Sequence, residues 1–147
     1  MVTGHGTHSS KIEIIDLANS TLFCDPWVDY PLDVYYATGQ VVGNDVVVCG
    51  GKLHNSRGVV NDCYKLGPKS AEPWPNLSLA RGESSTGVLN NSLMVVAGRS
   101  TGSFVKNVDF ISENEQKDGP NLPTTAVYGC VITINENEVM HTGGDTP

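Results

Sequence analysis

Basic residues are scarce in this chain: nine Lys and Arg stand against sixteen Asp and Glu, giving a formal charge of −7. Without a basic stripe to recruit a phosphate backbone, nucleic acid is not an expected partner. The acidity has a simpler role in keeping a β-rich surface solvated. No apolar run is long enough to span a bilayer, so membrane insertion is not expected. The opening MVTGHGTHSS has neither a basic start nor an apolar middle and does not read as a signal or transit peptide. Catalytic signatures are missing as well: there is no Ser-centred nucleophile elbow, no phosphate loop and no paired zinc-ligand motif. No segment carries a convincing helical period of apolar residues.

What the chain does have is repetition. Strands rich in β-branched residues end on glycine again and again, and Gly4, Gly51, Gly98 and Gly144 follow one another at 47, 47 and 46 residues. Trp27 and Trp74 are also 47 apart, each after a proline and an acidic residue. Two independent markers with one period define a repeat. Within the clearest unit the pattern gives strands over 35–42, 45–51, 59–66 and 72–77, separated by turn residues at 43–44, 52–58 and 67–71. The next unit gives 84–89, 93–98, 106–112 and a weak polar 115–122, with a loop over 99–105. Each unit is therefore a small antiparallel meander, which cannot bury both of its faces alone.

These marks resemble the kelch repeat of β-propellers, in which a glycine pair ends the second strand, an aromatic sits in the third and a tryptophan in the fourth. Gly50, Gly51, Tyr64 and Trp74 match that pattern, and Gly4, Ile15 and Trp27 follow it in the preceding unit. Arg81 matches an arginine that often opens the first strand. Departures are Ala97 and Gly98 in place of one glycine pair, Ile111 in place of the aromatic and Gly119 in place of a tryptophan. Gly143 and Gly144 restore the pair in the last unit. The resemblance implies an all-β fold of four-stranded antiparallel blades over residues 1–147, about three of them at roughly 45 residues each. Propellers close their ring with about 4 to 8 blades. The chain is thus expected to be an incomplete ring on its own, either a piece of a longer propeller or half of a six-bladed dimer. The glycines are read as joints where backbones crowd and φ turns positive, and the tryptophans as packing between blades.

Cys49 and Cys63 lie on neighbouring strands near one end of the clearest unit, so antiparallel pairing could bring them within reach of a disulfide. Two buried thiols are the alternative, and the sequence leaves both open. Cys24 and Cys130 are distant and are not paired. Asn19, Asn76 and Asn90 open N-glycosylation sequons at turns or strand ends. Together with VCGG and DCY, which resemble secreted invertebrate kelch proteins, they favour a secreted or extracellular location over a cytoplasmic one.

Function is expected in the loops that follow the glycine-terminated strands, which would emerge on one face. His5, His8, Lys52, His54, Arg57, Arg99 and Asp145 are the binding candidates there. His5, His8 and His54 are of a type that holds metals, but solvated loop histidines are the simpler reading, and no metal or other cofactor is expected. Galactose oxidase is the kelch-type enzyme to compare, yet none of Tyr30, Tyr35, Tyr36, Tyr64 and Tyr128 sits in a copy of its copper motif. The expectation is a non-enzymatic protein-interaction module presenting propeller loops. The alternative is a structural module that self-associates through its terminal blade edges.

Overall fold

The computed structural model describes Ser10 and residues 12–14, 25–56 and 58–146. Gly4, His5, His8, Ile15, Asn19, Cys24 and Arg57 lie outside the described residues. Fourteen strands follow one another: β1 (Glu13–Ile14), β2 (Asp25–Pro26), β3 (Val34–Tyr35), β4 (Thr38–Val42), β5 (Asp45–Cys49), β6 (Lys52–Leu53), β7 (Cys63–Leu66), β8 (Ala71–Trp74), β9 (Ser85–Leu89), β10 (Ser92–Ser100), β11 (Ser103–Ile111), β12 (Gln116–Asp118), β13 (Cys130–Asn135) and β14 (Glu138–Thr142). No helix occurs among the described residues.

The fold is all-β, and its two complete units are four-stranded antiparallel meanders in chain order, β4-β5-β7-β8 and β9-β10-β11-β12. Hairpin β13-β14 begins a third unit in the same way, and β1 pairs with β2 ahead of the first. The sheets do not close into a barrel and have the form of incomplete blades.

Period-2 alternation explains how the sheets stack. On β5, Val47 and Cys49 turn to one side and join Trp74, Leu77, Leu93, Val95 and Ile111 in a core between the two complete sheets. Val48 turns to the other side, against Ile12, Tyr30 and Leu66, with half-buried Trp27, Val46 and Tyr64 beside it. β10 repeats the device: Leu93 and Val95 face back, while Met94 and Val96 face forward onto Ala126 and Val108, with Val131 and Val139 from the third unit. A central strand apolar on both faces is thus the mark of a sheet packed on both sides. Trp74 is buried in the core between the two complete sheets, Trp27 packs half-buried against the cluster on the other side of β5, and Tyr64 meets Tyr30 edge to face with ring centroids 5.5 Å apart.

Three readings of the strands need correction. Residues 35–42 are not one strand, because Tyr36 adopts φ 59° and breaks the run between β3 and β4. Residues 52–58 are not wholly loop, since β6 pairs with β3 through Leu53↔Val34 and Lys52↔Tyr35. The stretch 99–105 is a hairpin tip: β10 and β11 stay paired out to Ser100↔Ser103, and Gly102 at φ 76° makes the turn. Phe104 and Val105 after the turn pair with Arg99 and Gly98 before it, and carry the ladder further than its glycine and serines suggest.

The glycine pairs behave alike. Gly50 and Gly51 take φ 65° and 114°, Ala97 and Gly98 take 54° and 113°, and Gly143 and Gly144 take 70° and 97°. Gly51 donates its N–H to the Arg81 carbonyl of the next unit at 2.9 Å, and a β-carbon on Gly51 would stand 3.1 Å from the Tyr35 carbonyl oxygen. Only at such joints is glycine required, by close approach and by sign of φ together. Ala97 holds the same conformation without being glycine, and the ladder bulges there.

Cys49 and Cys63 form a disulfide between directly paired residues of β5 and β7, with both cysteines buried in the core between the complete sheets. That settles the alternative in favour of the bond. Cys130 is a free, exposed thiol. Within the same region, Arg81 and Asp109 form a fully buried ion pair. Arg81 also donates to the Val95 carbonyl at 3.1 Å, while Asp109 accepts from the Ser78 N–H and the Gln116 amide. Burial pulls the Arg81 guanidinium below its ordinary pKa, and Asp109 opposes that pull.

Candidate functional site

The sheets run their strands between two faces. One carries tight turns such as Asn90–Asn91, where both residues have positive φ as a two-residue hairpin turn of this kind demands. The other carries the glycine pairs and the crossovers between units. On that second face the residue after each glycine pair is held in an antiparallel bridge: Lys52 to Tyr35, Arg99 to Gly82 and Asp145 to Val127. These three candidates therefore occupy one repeated position. Their backbones are pinned, so their side chains are presented from a fixed frame.

One step further along each bridged partner lies a residue that the sequence did not single out for this face. Tyr36, Glu83 and Tyr128 have φ of 59°, 59° and 58°. They stand 47 and 45 residues apart, so the repeat imposes a left-handed backbone at this point and the chain fills it with non-glycine side chains. A tyrosine or glutamate there is strained by about 1–2 kcal/mol. The three are joined in series, the Glu83 N–H donating to the Tyr36 carbonyl and the Tyr128 N–H to the Glu83 carbonyl, each at 3.1 Å.

Their side chains converge. The Tyr36 and Tyr128 ring centroids are 6.0 Å apart, edge to face, and Tyr35 continues the cluster at 4.9 Å from Tyr36. Lys52 forms an ion pair with Glu83 and places its ammonium 5.3 Å from the centre of the Tyr36 ring. The Glu83 side chain is almost fully buried, whereas Tyr128 is 55% exposed. Loss of water around its hydroxyl pushes the Tyr128 phenol up to about 12, with the Glu83 charge and hydrogen bonds to Glu83 and Tyr36 adding to the shift. The result is a rigid aromatic cluster around a neutralised charge pair, with large rings on the surface.

The remaining candidates are scattered relative to this centre. His54 is exposed, with its ring 6.3 Å from Tyr35. Arg99 lays its guanidinium over Phe104 at 5.4 Å and so belongs to the hairpin tip. The Asp145 side chain is exposed. His5, His8 and Arg57 lie outside the described residues, as does Asn19. Among the described residues no cluster of three His, Cys, Asp or Glu could hold a metal ion. Asn90 is exposed at its turn, while the Asn76 amide oxygen accepts the Cys63 N–H at 3.3 Å. A comparison with known protein families finds no match, and a comparison with curated proteins finds none.

Proposed function

We propose that this chain is a non-enzymatic, kelch-type interaction module that recognises a protein partner through the face bearing Tyr36, Glu83 and Tyr128. The observation that carries the reading is the repeated left-handed backbone at these three positions. Glycine would adopt that conformation freely, and strain of this kind is characteristically retained where a side chain is used. Tyrosine suits the purpose, since it offers a large amphipathic surface with little rotamer entropy to lose. The buried disulfide supports a location in an oxidising, extracellular compartment.

Selection of phage-displayed peptides on the immobilised chain tests the reading. Enriched peptides are expected to lose binding to Tyr36→Gly and Tyr128→Gly variants that melt normally. Peptides that bind these variants as well as the parent, or no enrichment at all, would place recognition elsewhere.

A second reading, self-association, is favoured by one observation. Ile132, Ile134 and Met140 are 45%, 59% and 44% exposed on β13-β14, whereas Val131 and Val139 of the same hairpin pack against the second unit. Light scattering on the purified chain discriminates: a species of twice 15.7 kDa that dissociates on Ile134→Lys supports it, and a monomer removes it.

A further inference from the structure

Building on the recognition reading above, the chemistry of the partner can be narrowed. Four aromatic rings follow one another across the face, from His54 to Tyr35, Tyr36 and Tyr128, at centroid separations of 6.3, 4.9 and 6.0 Å and always edge to face. His54, Tyr36 and Tyr128 are exposed. This row passes from the first complete unit, which carries His54, Tyr35 and Tyr36, to Tyr128 at the start of the third.

The backbone beneath it is already paired. Tyr35 is bridged to Lys52 and Val127 to Asp145, while the Tyr36 and Glu83 carbonyls accept the N–H groups of Glu83 and Tyr128. These pairings already use much of the backbone along the row, which leaves little for the addition of a β-strand. What the face offers is ring surface. Among the described residues, Lys52 is engaged by Glu83 and the Tyr36 ring, and Arg99 lies over the Phe104 ring. The Lys52–Glu83 pair is neutral at the row, and exposed Asp145 together with the chain's charge of −7 favours a cationic ligand.

We infer that the partner segment is a proline-rich extended peptide carrying a basic residue. Proline has no N–H, so its ring can be buried against aromatic rings without stranding a donor. The polyproline II conformation needs no hydrogen bonds of its own and is largely preformed, and rows of aromatic side chains are the surface on which it docks. The flanking Arg or Lys meets the acidic field.

Anisotropy titration of a fluorescein-labelled oligoproline peptide with one terminal arginine tests this on the whole chain. Saturable binding is expected, weakened about tenfold or more by Tyr128→Ala and by Tyr36→Gly, as for a central aromatic contact. A Gly/Ser peptide with the same arginine should not bind. Equal binding of that control, indifference to Tyr128→Ala, or binding of a cello-oligosaccharide in place of the peptide would each overturn the inference. If selected peptides map to the same tyrosines, lack proline and are not displaced by oligoproline, this inference fails while the recognition face stands. If no peptide maps to the tyrosines, both fail.

Discussion

Glu83 donates its backbone N–H to the carbonyl of Tyr36 at 3.1 Å, and both residues hold φ at 59° although they lie 47 residues apart. Two strained residues from successive repeats are thus locked to each other, and the same link then passes to Tyr128. The relationship separates what the backbone needs at this point from what the side chains supply.

Replacement by glycine exposes that separation. At Tyr128, glycine relieves about 1–2 kcal/mol of left-handed strain and adds roughly 0.5–1 kcal/mol of backbone entropy cost. The ring is largely exposed, so Tyr128→Gly should leave stability within about 1 kcal/mol of the parent in urea titration. Gly51→Ala runs the other way. At φ 114° its new β-carbon would stand 3.1–3.2 Å from the Tyr35 carbonyl, Val34 and the Ala37 N–H, and the loss should exceed about 1 kcal/mol. If both variants lose equal stability, the tyrosine has a packing role and the strain argument falls.

The disulfide closes a loop with a sequence separation of 14, worth about 3 kcal/mol in the chain-entropy account. Its cysteines lie against Trp74, Leu77 and Val95, so a reductant should reach them only through opening of the sheet. A Cys49→Ala/Cys63→Ala variant is expected to unfold at a lower urea concentration whether or not dithiothreitol is present. The parent should shift toward it only after prolonged reduction. Coincident curves for parent and variant would remove the disulfide from the stability of this sheet.

Arg81 and Asp109 are each wholly buried, and neither is tolerable without the other. Loss of one member should cost about 3–5 kcal/mol, because it leaves an unpaired charge in the core. Asp109→Leu strands the guanidinium; Arg81→Met leaves the carboxylate to Ser78 and Gln116. The double variant should recover most of that loss, giving a large favourable coupling in a double-mutant cycle. Additive losses would show that the two side chains act independently.

These residues mark how far the sequence could be read. The glycine period and the β-branched runs disclosed the sheets because both follow from local rules, a positive φ at a joint and alternation along a strand. Arg81 was visible as a repeat mark, yet its partner 28 residues away could be found only once β11 was laid beside β10. Lys52, Arg57, Arg99 and Asp145 are legible only as residues of comparable loops after the glycines; that three of them share one bridged position comes from the pairing of the strands. Tyr36, Glu83 and Tyr128 escape the sequence, although their spacing carries the repeat, because no shared residue type announces a left-handed backbone when glycine is absent. Gly102 misled in the opposite sense: it suggested a loop where it makes a two-residue turn in a continuous ladder.

Alkaline titration tests the cluster directly. Tyr128 is pushed up to about 12 from an ordinary 10.0, and Tyr30, buried beside Tyr64 and Asp62, is also raised. A phenol whose folded pKa exceeds its unfolded one holds its proton longer in the native state. Its contribution to stability is therefore intact below about pH 10 and is lost as pH rises through the folded value. Stability of the parent should fall between about pH 10 and 12, and phenolate absorbance should show tyrosines titrating late in that window. Tyr128→Phe should remove one of them and make the fall shallower. The change will be modest, because more than half of this ring is in water, whereas Tyr30→Phe should flatten the fall more. If Tyr128→Phe leaves the late phenolate titration unchanged, the hydroxyl does not engage Glu83, and the cluster is a row of rings without its central hydrogen bond.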